Sequence, residues 1–174
     1  MHRTGSLSAL LLLAASVPAI AQQVPVQQFS RPEAEFPDPF DQVTAVRELR
    51  DGRLIVADLF ARAVSLVDLK SGSATVIGRE GQGPNEYGFP TGLVALPHDT
   101  TWVVDPAQSR FLVILPDGTP SGTVAFPDEF GGMARVKGAD ARGRIYAQGT
   151  GFTFGPGSDP RALPDSAPVV VWDR

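Results

Sequence analysis

Cysteine is absent from the 174 residues. That removes disulfides, thiolate metal sites and cysteine nucleophiles together. Histidine occurs only at His2 and His98, so a zinc site built from several histidines is excluded. Lysine occurs only at Lys70 and Lys137, and 15 basic residues face 19 acidic ones. Binding to a phosphate backbone needs clustered Lys and Arg, so nucleic acid is not an expected partner. The Walker, GxSxG and HExxH patterns are missing, and Gly81-x-Gly83 lacks the third glycine of a dinucleotide loop. No catalytic residue is assigned.

One long apolar run is present, at the N-terminus. Arg3 supplies a positive start, Leu7 to Ile20 is apolar, and Ala19-Ile20-Ala21 fits the small-x-small cleavage rule. Residues 1–21 therefore read as a signal peptide cleaved after Ala21, giving a secreted or periplasmic protein. A transmembrane anchor needs about 20 apolar residues; this run is shorter and contains Ser8, Ser16 and Pro18. No membrane span is expected after cleavage. Removing the leader takes Arg3 from the 15 basic residues and leaves 14 against 19 acidic.

Hydrophobic residues make up 43% and charged residues 20%, the balance of a globular chain. Eighteen glycines and 16 prolines argue for many turns and against a helical bundle. Residues 22–42 read as a Pro-rich arm, with Pro25, Pro32, Pro37 and Pro39 blocking helix. Val24, Val26 and Phe29 leave room for one short strand there. From Val43 the pattern is of short β-prone runs closed by polar, glycine-bearing turns. The first four are 43–46, 54–57, 63–67 and 74–77, with turns at Asp51-Gly52 and Ser71-Gly72.

The pattern then returns at 92–96, 102–104, 111–115 and 122–126. Asp58 recurs as Asp105, 47 residues on, and Gly72 as Gly118, 46 residues on. A third copy begins at Met133 and has strands at Gly143 to Ala147 and Val169 to Trp172. It is interrupted by a Gly-, Pro- and Ser-rich insertion, 149–168, and lacks a fourth strand. Four-stranded units at a period of roughly 40–50 residues indicate a β-propeller. The competing fold is a two-layer β-sandwich; the in-phase repetition favours the propeller. The expected fold class is all-β, a β-propeller with two full four-stranded blades and most of a third, about 43–89, 90–131 and 132–174, of an incomplete ring.

The stretch 78–93, Gly-Arg-Glu-Gly-Gln-Gly-Pro-Asn-Glu-Tyr-Gly-Phe-Pro-Thr-Gly-Leu, resembles the inter-blade segment of NHL-repeat proteins. Gly52 to Asp58 resembles the other half of that repeat, with Arg62 at its basic position. Val103-Val104-Asp105 and Arg110 repeat the match. The resemblance covers about Val43 to Phe126 well and Met133 to Arg174 loosely. It implies an exported bacterial propeller of six blades. Such a ring needs on the order of 280 residues, so the expectation is a partial chain, or else two half-rings that pair. Expressed alone, the segment is expected to be poorly soluble.

Asp58 and Asp105 end strands before turns, where their carboxylates accept turn N–H groups and pair with Arg62 and Arg110 across the hairpin. His98 falls on an exposed turn. The loops after the second strand and between units emerge on one side, the usual binding side of such a fold. The candidate ligand-binding residues there are Phe60, Glu80, Asn85, Glu86 and Tyr87. Oxygens of Glu80, Asn85 and Glu86 suit Ca²⁺, but their spacing reproduces no known metal loop, and no cofactor is expected. The expected function is an exported binding module for a protein, peptide or glycan. The alternative is a metal-dependent hydrolase, lactonase or lyase using the channel.

Overall fold

The computed structural model describes Gln28 and residues 30–127, 135–149 and 168–173. The expected leader, Val24, Val26 and Phe29, Met133 and Ala134, and 150–167 of the insertion lie outside the described residues. The chain divides into two units, Met1–Pro32 and Glu33–Arg174. In the first, Gln28, Ser30, Arg31 and Pro32 are exposed and form no regular element. The second unit carries the fold.

Its first sheet joins β1 (Val43–Glu48), β2 (Leu54–Asp58), β3 (Ala63–Asp68) and β4 (Ser73–Val76) in that order, every pair antiparallel. The second sheet joins β7 (Gly92–Ala95), β8 (Thr101–Asp105), β9 (Arg110–Ile114) and β10 (Pro120–Ala125) in the same way. The third has β11 (Arg135–Ala139), β12 (Ile145–Gln148) and β13 (Val169–Trp172). Between the first two sheets, β5 (Arg79–Glu80) and β6 (Glu86–Tyr87) form a small parallel pair that sequence reasoning takes for plain turn. The only helices among the described residues are two three-residue 3₁₀ turns, Pro97–Asp99 and Pro106–Gln108. His98 lies on the first of these turns, as expected, at φ +60°.

Side chains alternate across each strand, so each sheet has two faces to cover. Ile55 and Val64 of the first sheet pack against Val103, Leu112 and Ile114 of the second, with Leu49, Ile77 and Tyr87 filling the layer. The opposite face of the second sheet, Val94, Trp102, Val104 and Phe111, packs against Ile145 and Ala147 of the third. The second sheet therefore has a sheet on each side. A two-layer sandwich does not have this arrangement.

The repeat expected from Asp58 and Asp105 is carried by the hydrogen bonds themselves. Asp41 and Gln42 donate their N–H groups to Asp58, at 2.7 and 3.0 Å. Gly88 and Phe89 donate theirs to Asp105, at 2.9 and 3.0 Å. The Thr44 hydroxyl donates to the Ala57 carbonyl, as that of Thr91 does to Val104. Every one of these positions moves by 47 residues. Residues 37–42, read from sequence as part of a linker-like arm, thus follow the same repeat as 84–89, with Phe40 in the place of Tyr87.

Polar contacts and a close approach add to the apolar layer between the first sheet and the second. Arg47 of β1 reaches the carboxylate of Asp99 at 2.8 Å, the carbonyl of Thr100 at 2.6 Å and the hydroxyl of Thr101. Gly118 sits with φ at +89°, and a Cβ there would meet the Leu66 methyl at 3.0 Å. The positive φ favours glycine at that turn, and the close Leu66 methyl leaves little room for a side chain.

Candidate functional site

The loop end is assembled from three segments: the β2–β3 turn, the crossing segment 78–89 and the β8–β9 turn. Arg62 on the first pairs with Glu80 on the second. Gln108 on the third donates to the Gly81 carbonyl. Arg110, at the start of β9, donates to the carbonyls of Gly83 and Glu86 at 2.8 and 2.9 Å. The segments expected on one side of the fold are in contact there.

Asp58 and Asp105 are 2% and 0% exposed. Their carboxylates accept backbone N–H groups, which is why charge is tolerated at these depths. Ala61 adds a third donor to Asp58, at 3.1 Å. The arginines expected opposite them go elsewhere. Arg62 takes Glu80, and Arg110 takes two carbonyls, because the crossing segment lies nearer to both side chains than sequence spacing within the hairpin suggests.

Burial alone would raise the Asp58 carboxyl, but the N–H groups of Ala61, Gln42, Asp41 and Phe60 outweigh it and hold it below the usual aspartate range. A depressed carboxyl stabilises the fold at neutral pH and loses that contribution as the pH falls below the usual value of 3.8. Asp51, Asp68, Glu86, Asp117 and Asp140 are lowered too. The share of Asp58 is therefore isolated by difference. The drop in urea midpoint from neutral pH to about pH 3 is expected to be smaller in Asp58→Asn than in the parent chain. Parallel acid limbs in the two proteins would contradict this account.

The five ligand-binding candidates divide. Phe60 stands 72% exposed, on a turn pinned by the Asp58 carboxylate. Glu80 is about half exposed beside Arg62. Glu86 is largely occupied: its carboxylate accepts the Gly83 N–H at 2.8 Å and the Arg79 guanidinium. Those two bonds hold its carboxyl low, against a smaller opposing effect of burial. Asn85 accepts the Gly122 N–H at 3.3 Å. With Gly78, Arg79, Pro84, Glu86 and Pro120 it lines an open hollow of about 510 Å³.

Tyr87, expected at the loop face, is instead fully buried. Its hydroxyl accepts the Val64 N–H at 3.0 Å. Burial raises its phenol pKa, the Val64 bond works against that, and the charge of Glu80 adds to the rise. The ring is a wedge between two sheets. Its position next to the acidic and glycine-rich stretch made it look like a surface residue.

A second site was missed. Trp102, Phe111, Val124, Ala125, Pro127, Ile145, Trp172 and Asp173 line a largely apolar cavity of about 160 Å³ between the second and third sheets. The signal in sequence is the presence of aromatics, Trp102, Phe111 and Trp172, on strands of both sheets. No group of three or more His, Asp or Glu side chains among the described residues is arranged to hold a metal ion. No helix among them is long and apolar enough to cross a membrane.

No protein family and no curated protein matches the chain. Solved structures do. The chain is similar to a protein of Bacteroides fragilis described as exported, with a TM-score of 0.59 at 21% identity, over 81% of this chain and 37% of that one. It is also similar to a catalytically inactive variant of virginiamycin B lyase from Staphylococcus aureus, solved with quinupristin. There the TM-score is 0.51 at 9% identity, over 79% of this chain and 43% of that one. The chain thus spans about two fifths of the length of the structures it matches. At these identities the likeness shows the fold alone, a propeller-like set of antiparallel sheets.

Proposed function

We propose that the chain is part of an exported, six-bladed, NHL-like propeller and serves as a binding module for a protein, peptide or glycan at its loop end. One contrast carries this reading. The loop-end acids Asp58 and Asp105 and the phenol of Tyr87 are engaged inside the fold, while Phe60 projects at 72% exposure beside the half-exposed Arg62–Glu80 pair. An exposed aromatic on a pinned turn with charges at its rim is the composition of an interface anchor. The leader at 1–21 would deliver the chain to the periplasm or outside, and the likeness to a protein described as exported supports that. Three sheets at about 46 residues each, matching two fifths of longer structures, support membership in a larger ring.

The test is a peptide and glycan array probed with the leader-free chain, followed by calorimetric titration of the best ligand. Phe60→Ala is expected to weaken that ligand about ten-fold or more without shifting the melting temperature. An empty array overturns the binding reading. Turnover of a lactone or ester that stops with a chelator and returns with Ca²⁺ overturns it in favour of a channel hydrolase or lyase.

A further inference from the structure

The open hollow of about 510 Å³ beside the crossing segment is walled by Pro84 and Pro120 and carries three polar side chains, Arg79, Asn85 and Glu86. Neither Phe60 nor Arg62 lines it, so it stands apart from the loop-end anchor. Glu86 is its fixed point. Gly83 donates its N–H to one oxygen of the Glu86 carboxylate at 2.8 Å, and a Cβ at Gly81 would collide with that same oxygen. The glycine loop thus closes round the carboxylate, whose side chain is only 17% exposed. The other oxygen accepts the Arg79 Nε–H.

The Arg79 side chain is 80% exposed. An arginine so far into solvent ordinarily samples many rotamers, and a ligand that fixes it must overcome that entropy. Here Nε is held by a carboxylate that is itself held, so much of the ordering is done in folding. With Nε engaged, the two terminal nitrogens remain as a planar fork, whose geometry matches a pair of oxyanion oxygens. Asn85 adds to it. Its Oδ1 accepts the Gly122 N–H at 3.3 Å, which leaves the Nδ2 donors of the same amide for the hollow. The polar lining is therefore rich in donors, and its one acid is already taken up by Gly83 and Arg79.

We infer that this hollow binds the carboxylate group of a small organic acid, with Arg79 and Asn85 donating to its oxygens and Glu86 as the positioning residue for Arg79. The charges of Arg79 and Glu86 cancel, and the whole chain carries a net charge of −4. A monoanion therefore suits the site better than the dianion of phosphate. The hollow is large enough for a body beyond the carboxylate, a sugar ring or a short peptide end. The carboxylate is the chemistry that these two sources share.

Nuclear magnetic resonance titration of the ¹⁵N-labelled leader-free chain at constant ionic strength tests this, read at the Arg79 Nε–H and Asn85 Nδ2 signals. The probes are glucuronate, a sugar acid, N-acetylalanine, a peptide end, and N-acetylalanine amide, the uncharged control. At least one acid is expected to give saturating shifts at both side chains, the tighter one identifying the source, and the amide none. Arg79→Lys keeps the charge but loses the fork, and is expected to weaken binding at least about five-fold. Asn85→Asp keeps an acceptor for Gly122 but loses the donors, and is expected to weaken it at least as much. Both positions are exposed, so melting temperatures should stay at the parent value. Glu86→Gln is expected to weaken binding although it makes the hollow more positive. Equal binding by Arg79→Lys, or tighter binding by Glu86→Gln, overturns forked recognition in favour of simple charge attraction. Inorganic phosphate binding more tightly than both acids overturns the carboxylate assignment. No saturation with either acid overturns the site, and leaves the Phe60→Ala result to be judged on its own.

Discussion

Asp105→Ala is expected to lower the free energy of unfolding by about 3 kcal/mol or more. The carboxylate is fully buried and receives the N–H groups of Gly88 and Phe89 at 2.9 and 3.0 Å. Removing it leaves two backbone donors without an acceptor. Each such loss costs about 1–3 kcal/mol when water does not replace the partner. Against a total stability of roughly 5–15 kcal/mol for an ordinary domain, that is a large share. The two donors also set the entry angle of the crossing segment into β7, so the damage reaches the layer that Tyr87 fills. Asp105→Asn keeps an acceptor oxygen and is expected to lose about half as much. Urea unfolding at neutral pH measures both; a loss under about 1 kcal/mol for the alanine variant would show that other acceptors take over.

The second large effect belongs to Phe111. Its ring is 1% exposed and lies between Trp102, at a centroid distance of 4.8 Å, and Phe126, at 4.6 Å and 59°. Phe111→Ala removes the shared partner of both rings and enlarges the cavity of about 160 Å³ already present there. Truncating a buried phenylalanine typically costs about 3–5 kcal/mol, and aromatic pairing adds about 0.5–1.5 kcal/mol per pair. Phe111→Leu refills part of the space and is expected to cost about half as much. Both tryptophans, Trp102 and Trp172, line the cavity, so fluorescence follows the same event. Benzene should raise the melting temperature of the alanine variant more than that of the parent, because the enlarged apolar cavity accepts an apolar guest more readily. No stabilisation by benzene would indicate that the site collapses instead.

The sheets were legible in the sequence because each strand is bounded by its own turn signal. Asp51-Gly52, Ser71-Gly72 and Asp117-Gly118 fall between β1 and β2, β3 and β4, and β9 and β10. The period of 47 was legible because Asp58 and Asp105 carry the same duty in both copies. Less legible was the choice of partner at a distance. Arg62 and Arg110 could be assigned a neighbour only along the chain, and their actual partners come from a crossing segment 18 and 27 residues away. The kinship of Phe40 with Tyr87 was hidden for a related reason. Pro37 and Pro39 read as linker chemistry, and only the bonds from Asp41 and Gln42 to Asp58 reveal a repeat element there. At the candidate site, sequence located the loops but not the depth of each side chain. Tyr87 and Phe60 are both aromatic and both beside turns, yet one is fully buried and the other 72% exposed.

The position that holds Asp58 and Asp105 in the first two sheets holds Gly149 in the third. Its N–H donates to the Pro168 carbonyl at 2.9 Å, and a Cβ there would lie 2.9 Å from the Pro168 ring. β2 and β3, and likewise β8 and β9, are joined by four residues, whereas β12 and β13 are joined by twenty. A proline bracing a glycine thus replaces the acidic staple where the hairpin opens. Sequence grafted between those two residues would leave the hydrogen-bonded ladder below it untouched. This makes the third hairpin a natural place for lineages, or engineers, to vary sequence without disturbing the strands that carry it.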